Sequence, residues 1–106
     1  MPEISPLIGP LQARVMFVLW TAGASTVKGV HEALNAQPGA PRLAYTTILT
    51  VMRSLANRKL LSQTASARSH VFAPQLTRED YLHQVGTYVR ETYFAGDASE
   101  YAKYGG

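Results

Sequence analysis

The 106-residue chain contains no cysteine. Disulfide staples, thiolate metal sites and cysteine nucleophiles are thereby excluded, and an intracellular setting is the easiest fit. Long apolar runs are missing as well. The longest, Val15 to Trp20, falls far short of the roughly 20 residues a membrane-spanning helix needs, and the first residues lack the basic and apolar regions of a secretory signal. A soluble, cytoplasmic protein is expected. Acidic residues are scarce in one long segment. From Lys28 to Arg78, Glu32 alone faces Lys28, Arg42, Arg53, Arg58, Lys59, Arg68 and Arg78, a net of +6. From Glu79 onward the balance reverses: Arg90 and Lys103 face Glu79, Asp80, Glu91, Asp97 and Glu100, a net of −3. A field divided in this way suggests a polyanion partner for one half and a different task for the other.

With 46% hydrophobic residues the chain can bury a core, and its length suits one domain, or a small domain with a dimerising extension. Residues 1–9, with Pro2, Pro6 and Gly9, read as an irregular arm. Pro10 suits the first turn of a helix, in which Leu11, Val15, Val18 and Leu19 recur at core-facing spacing until Gly23 stops it. Ser25 or Thr26 caps a second helix with a buried stripe of Val27, Val30, His31 and Leu34. Asn35 to Pro41 is a loop.

The third helix, Tyr45 to Asn57, separates into two faces at about 100° per residue. Ile48, Leu49, Val51, Met52, Leu55 and Ala56 fall on one side, and Thr46, Thr47, Thr50, Arg53, Ser54 and Asn57 on the other. Solvated helix faces favour Glu and Lys. Thr is a poor helix former and a short, stiff hydrogen-bonding group, so three threonines and an arginine suggest a face that touches something. Thr methyls suit thymine methyls, and Arg pairs bidentately with guanine. Tyr45 is open to two roles, bonding phosphate or packing inward.

Leu60 to Ala65 and Ser69 to Ala73 flank Ser66, Ala67 and Arg68 and read as a short antiparallel hairpin that Pro74 ends. Three helices followed by a basic-tipped hairpin describe a winged helix-turn-helix. In that architecture the third helix enters the major groove and the wing reaches toward adjacent phosphates. The fold class expected is therefore mainly α with a small β-hairpin, over residues 10–75, plus a C-terminal dimerisation helix over 76–95 and a flexible tail over 96–106. Thr77-Arg-Glu-Asp80 resembles a capping box opening that last helix. Its broad face of Tyr81, Leu82, Val85, Tyr88, Val89, Thr92 and Tyr93 calls for a cover, either a second copy of the chain or the helix's own domain.

Leu11 to Trp20, Thr26-Val-Lys-Gly-Val-His-Glu-Ala-Leu34, Leu43-Ala-Tyr-Thr-Thr-Ile-Leu-Thr50 and Arg68-Ser-His-Val-Phe72-Ala-Pro74 together resemble the penicillinase-repressor family. The resemblance runs from about Leu11 to Phe94 and is most specific at Leu43–Thr50. It implies a homodimeric winged-helix repressor of beta-lactamase or methicillin-resistance operon type, bound to a palindromic operator in double-stranded DNA. Its operator-reading helix maps onto Tyr45, Thr46, Thr47, Thr50 and Arg53, with Arg42 just before them, and its wing arginine onto Arg68. A membrane-bound sensor protease is the further partner it implies for the regulatory circuit. The chain departs from the pattern in two places. Lys59 stands where the family closes the recognition helix with Gly or Asn; in left-handed geometry this costs roughly 1 kcal/mol. The stretch from Gly96 to Gly106 is too short and too Gly-rich for the family's further dimerisation helices and protease-cleaved segment, and it lacks the cysteine cluster of copper-sensing relatives.

Other chemistry finds little support. His31, on an apolar stripe, reads as a hydrogen-bonded core histidine. Asp80 and His83 are two groups where a closed metal site needs more. No nucleophile elbow or metalloprotease motif accompanies the Ser, His and Asp present, and no polar cluster in an apolar stretch marks a ligand pocket. No enzyme, cofactor or metal is expected. The alternative to DNA binding is a winged-helix module that binds a protein through the same basic surface.

Overall fold

The computed structural model describes residues 5–65 and 70–104 and divides the chain into two compact units, Ile8–Leu76 and a second formed by the N-terminal residues up to Leu7 with those from Thr77 on. The first unit holds helix α1 (Pro10–Ala22), strand β1 (Ser25–Thr26), helices α2 (Val27–Asn35) and α3 (Tyr45–Asn57), and strands β2 (Leu61–Ala65) and β3 (His70–Pro74).

Local chemistry explains the helix ends. Pro10 occupies the first turn of α1, where its missing N–H has no intrahelical partner to lose. Gly23 ends that helix at φ 83° and donates its N–H to the Leu19 carbonyl. Thr26 caps α2, its Oγ1 accepting the Gly29 N–H at 3.0 Å, while the Ser25 hydroxyl donates to the Gly23 carbonyl. Asn35 closes α2 rather than opening the loop as expected. Helix α3 ends in a tight left-handed turn. Lys59, at φ 64°, donates its N–H to the Ala56 carbonyl, and the Leu60 N–H reaches Leu55 at 3.0 Å. This is the Schellman arrangement, with buried Leu60 supplying the accompanying apolar contact.

The core of this unit lies between the three helices and the sheet. Val15, Met16 and Leu19 from α1, Val30 and Leu34 from α2, Ile48, Met52 and Leu55 from α3, and Phe72 from β3 are fully buried. Burial of side chains of this size contributes about 1.5–3 kcal/mol each. The two-stranded hairpin expected from the sequence is in fact the larger part of a three-stranded antiparallel sheet of order β1-β3-β2. Ser25 pairs with Phe72 and Thr26 with Val71, so Thr26, which caps α2, also lies on the sheet edge. Between β2 and β3 the register runs from Leu61 opposite Pro74 to Ala65 opposite His70.

In the second unit, helix α4 (Arg78–Tyr93) starts at Thr77, whose Oγ1 accepts the Asp80 N–H at 3.0 Å. The cap is one-sided, because Asp80 is a methylene shorter than the Glu that completes a capping box. The helix stops at Tyr93 rather than Ala95, since Ala95 and Gly96 turn to positive φ and the Gly96 N–H bonds the Arg90 carbonyl. The expected flexible tail instead contains a short helix, α5 (Ala98–Ala102). Asp97 caps it by accepting the Ser99 and Glu100 N–H groups, at 3.0 and 3.1 Å, and the Ser99 hydroxyl. These bonds, Glu100 N–H foremost, hold its carboxyl below the ordinary value of 3.8. Phe94 meets Tyr101 edge-on at 5.7 Å and stacks with Tyr104 at 5.9 Å.

Candidate nucleic-acid interface

The two-face division of α3 survives folding. Ile48, Met52 and Leu55 are fully buried and Leu49, Val51 and Ala56 half-buried, while Thr46, Thr47, Thr50, Arg53 and Asn57 are exposed and Ser54 half-buried. The Thr50 hydroxyl donates to the Thr46 carbonyl at 2.9 Å, which commits its proton and leaves the oxygen able to accept. Thr46 and Thr47 flank it on the same face. Tyr45 is 47% exposed, and its ring meets the edge of His31 at 5.9 Å and 72°. The ring leans on His31 of α2, and much of the side chain's surface stays in solvent.

The threonine face borders a cleft of about 350 Å³. Its walls bring together three elements: Thr26, Val27 and Lys28 at the start of α2, Tyr45, Leu49 and Arg53 of α3, and His70 at the start of β3. Lys28 and Arg53 are exposed and put two cations on the rim of an apolar floor, with exposed His70 beside them. Lys28 has a 4.0 Å ion pair with Glu32, but both side chains are largely solvated and the pair holds little. The unit Ile8–Leu76 carries seven basic residues and one acidic one, a net of +6, whereas the other unit carries −3. The sequence offers Thr26 as a helix cap and Lys28 as one of the basic residues of this segment, but it places neither of them, nor His70, beside α3. Only the folded sheet brings His70 beside α3. Arg42 is exposed in the loop before α3, and Arg68 lies outside the described residues.

Residues 35–43 position the start of α3. Asn35 engages both main-chain groups of Leu43: its Oδ1 accepts the Leu43 N–H at 2.8 Å, and its Nδ2 donates to the Leu43 carbonyl at 3.1 Å. His31 Nε2 lies 2.9 Å from the same carbonyl. A carbonyl only accepts, so Nε2 carries the proton. His31 is half-buried and hydrogen-bonded, and among the described residues there is no group of three or more His, Asp or Glu that could hold a metal ion.

On α4, Val85, Tyr88, Val89 and Thr92 are half-buried, and Leu82 and Tyr93 are 47% and 67% exposed. Tyr81 departs from the expected interface stripe. It is buried within its own unit, where its hydroxyl donates to the Pro6 carbonyl at 2.8 Å. Among the described residues, no helix is long and apolar enough to cross a membrane.

Helices α1 to α3 followed by the paired strands β2 and β3, with a polar, partly cationic face on the third helix, define a winged helix-turn-helix protein. Comparison with known proteins places it more narrowly. The penicillinase repressor family matches residues 8–103, and the chain belongs to that family, which is one of repressors and not of enzymes. It is 40% identical over 76 residues to the transcriptional regulator BlaI of Mycobacterium tuberculosis, in strains CDC 1551 / Oshkosh and ATCC 25618 / H37Rv, an alignment covering 71% of this chain and 53% of the relative. The chain thus spans about half the length of the curated relatives it matches. It also resembles the solution structure of the DNA-binding domain of the repressor BlaI, with a TM-score of 0.61 at 22% identity, over 76% of this chain and 94% of that one. At that identity the likeness bears on the fold.

Proposed function

We propose that the chain is a sequence-specific DNA-binding transcriptional repressor of the cytoplasm that acts as a homodimer on an inverted-repeat operator. The observation that carries this reading is the exposed Thr46, Thr47, Thr50 and Arg53 face beside a cleft rimmed by Lys28 and His70, on the unit of the chain that bears the positive charge. The major groove admits an α-helix and displays the donor, acceptor and methyl patterns of base edges to it. Arg53 supplies a bidentate donor, the threonines supply methyls and acceptors, and Tyr45, Lys28, Arg42 and the wing residue Arg68 supply contacts to the phosphate backbone. Leu82, Val85, Tyr88, Val89 and Tyr93 supply the surface for a second copy, which would fix the spacing of two half-sites at one or two helical turns. Tyr81 supports that surface from inside. The name of the curated relatives, a transcriptional regulator, agrees with the reading.

The test is binding of the purified chain to duplex DNA from upstream of its own gene and to a scrambled duplex, at 50 and 200 mM salt. Three cationic phosphate contacts per protomer, from Lys28, Arg42 and Arg68, make about six per dimer, and affinity should then fall about a thousandfold between the two salt concentrations. The upstream duplex should bind more tightly than the scrambled one at both. Equal binding of the two sequences, or none, would contradict the proposal; retention of a protein partner instead would favour the protein-binding module.

A further inference from the structure

Helix α3 begins without the usual device. Its N-cap is Ala44, which has no side chain able to accept a hydrogen bond, and its first turn has no acidic residue. The preceding loop contains Pro38, Gly39 and Pro41, with Gly39 at φ 75°. No side-chain cap fixes the first turn of the helix.

The fixing comes from α2. Asn35 holds Leu43 by both its N–H and its carbonyl, at 2.8 and 3.1 Å, and His31 adds a second donor to that carbonyl at 2.9 Å. Two bonds to opposite sides of one residue constrain both peptide planes around it, as a bridge in a β-ladder would. Leu43 stands between Arg42 and Ala44, two positions before Tyr45, whose ring leans on the same His31. One side-chain pair on α2 therefore meets the chain at the point from which Arg42, Tyr45, Thr46 and Thr47 are presented.

We infer that Asn35 and His31 are positioning residues for the DNA-reading helix: they clamp Leu43 and so set the orientation of its first turn without touching DNA. This inference rests on the proposed DNA-binding function, and it replaces a missing helix cap with a contact made across the loop. Because the two side chains share one acceptor, their effects are coupled.

Two single variants, their combination and two readouts test it. Asn35→Ala removes both bonds to Leu43; His31→Phe keeps a ring against Tyr45 and removes only the shared donor. For DNA, the probes are the duplex the wild type most enriches from a random library and a scrambled duplex of equal length. Asn35→Ala should weaken the enriched duplex about 5- to 30-fold and the scrambled one less than about twofold, His31→Phe should lose less, and the double variant should fall short of the product of the two. For the protein alone, amide hydrogen exchange in Asn35→Ala should quicken at Ile48 and Leu49 by a similar factor and stay unchanged at Met52 and Leu55. Equal weakening on both duplexes, or exchange that quickens uniformly along α3, would reduce the clamp to ordinary stability and overturn the inference. If the wild type enriches no duplex, the DNA reading fails, and exchange alone decides the clamp: local quickening at Ile48 and Leu49 upholds it, and unchanged exchange there removes it.

Discussion

Lys59 holds a left-handed backbone, φ 64°, at the end of α3, and its N–H and that of Leu60 close the turn onto Ala56 and Leu55. An L-residue in this conformation brings its Cβ close to the following carbonyl, at a cost of about 1–2 kcal/mol that glycine avoids. Glycine also makes the unfolded chain more flexible, which offsets about 0.4–1 kcal/mol of that relief. Lys59→Gly should therefore stabilise the protein by about 0.5–1 kcal/mol, raising the melting temperature by about 3–6 °C for a domain of this size. The control is Lys59→Ala, which removes the ammonium group but keeps the Cβ and should stay within about 0.5 kcal/mol of wild type. Thermal unfolding followed by circular dichroism under identical buffer conditions compares the three proteins. Both variants lose the same charge, so a difference between them isolates the backbone. A Gly variant that melts at or below the Ala variant would refute the argument.

Other outcomes follow from the same residues. Arg68→Ala should weaken all DNA sequences alike and lower the salt slope by about one ion per wing; a loss confined to particular base pairs, seen in titrations at several salt concentrations, would mean that the wing reads sequence. Replacing Val85 and Val89 together with Asp should convert a dimer into monomers that bind DNA weakly, by placing unpaired charges in the α4 surface. Light scattering at micromolar concentration decides this, and a monomeric wild type or a dimeric double variant would move the interface elsewhere. The Asp97 cap should respond to acid with a definite sign. Its carboxyl is held below 3.8 in the folded chain, so its contribution is complete above that value and is lost as pH falls through the depressed one. Ser99 and Glu100 amide resonances should shift in that acid range, and amides unmoved down to pH 2 would contradict the cap.

Much of the fold was legible because burial imposes a period. The stripes of α1, α2 and α3 repeat at helical spacing, and Pro10, Gly23 and Thr26 mark ends that the backbone uses as expected. Strand β1 was not legible, since two residues carry no alternation and Ser25 and Thr26 read equally well as caps. Helix α5 was hidden for a similar reason: five residues make little more than one turn, and its support comes from the Asp97 cap and from Phe94 against Tyr101 and Tyr104. At the candidate site, the threonine and arginine face could be read from spacing alone. The cleft could not, because His70 reaches it through strand pairing and Lys28 through the packing of α2. The role of Asn35 was invisible because its partner lies eight residues away across a loop. Tyr81 shows the limit of the stripe. An amphipathic stripe tells which residues seek cover but not what covers them, and here the carbonyl of Pro6 receives the tyrosine hydroxyl.

The central claim is that the exposed face of α3 reads DNA sequence, and selection from a random duplex library tests it most directly when run in parallel on the wild type and on Arg53→Ala. The wild type should enrich two inverted half-sites one or two helical turns apart. The variant should bind the best of those sites about 1–3 kcal/mol more weakly and lose discrimination at one position of each half-site, with the other positions retained. An Arg53→Ala protein that enriches the same sequences with the same preference at every position would contradict the account.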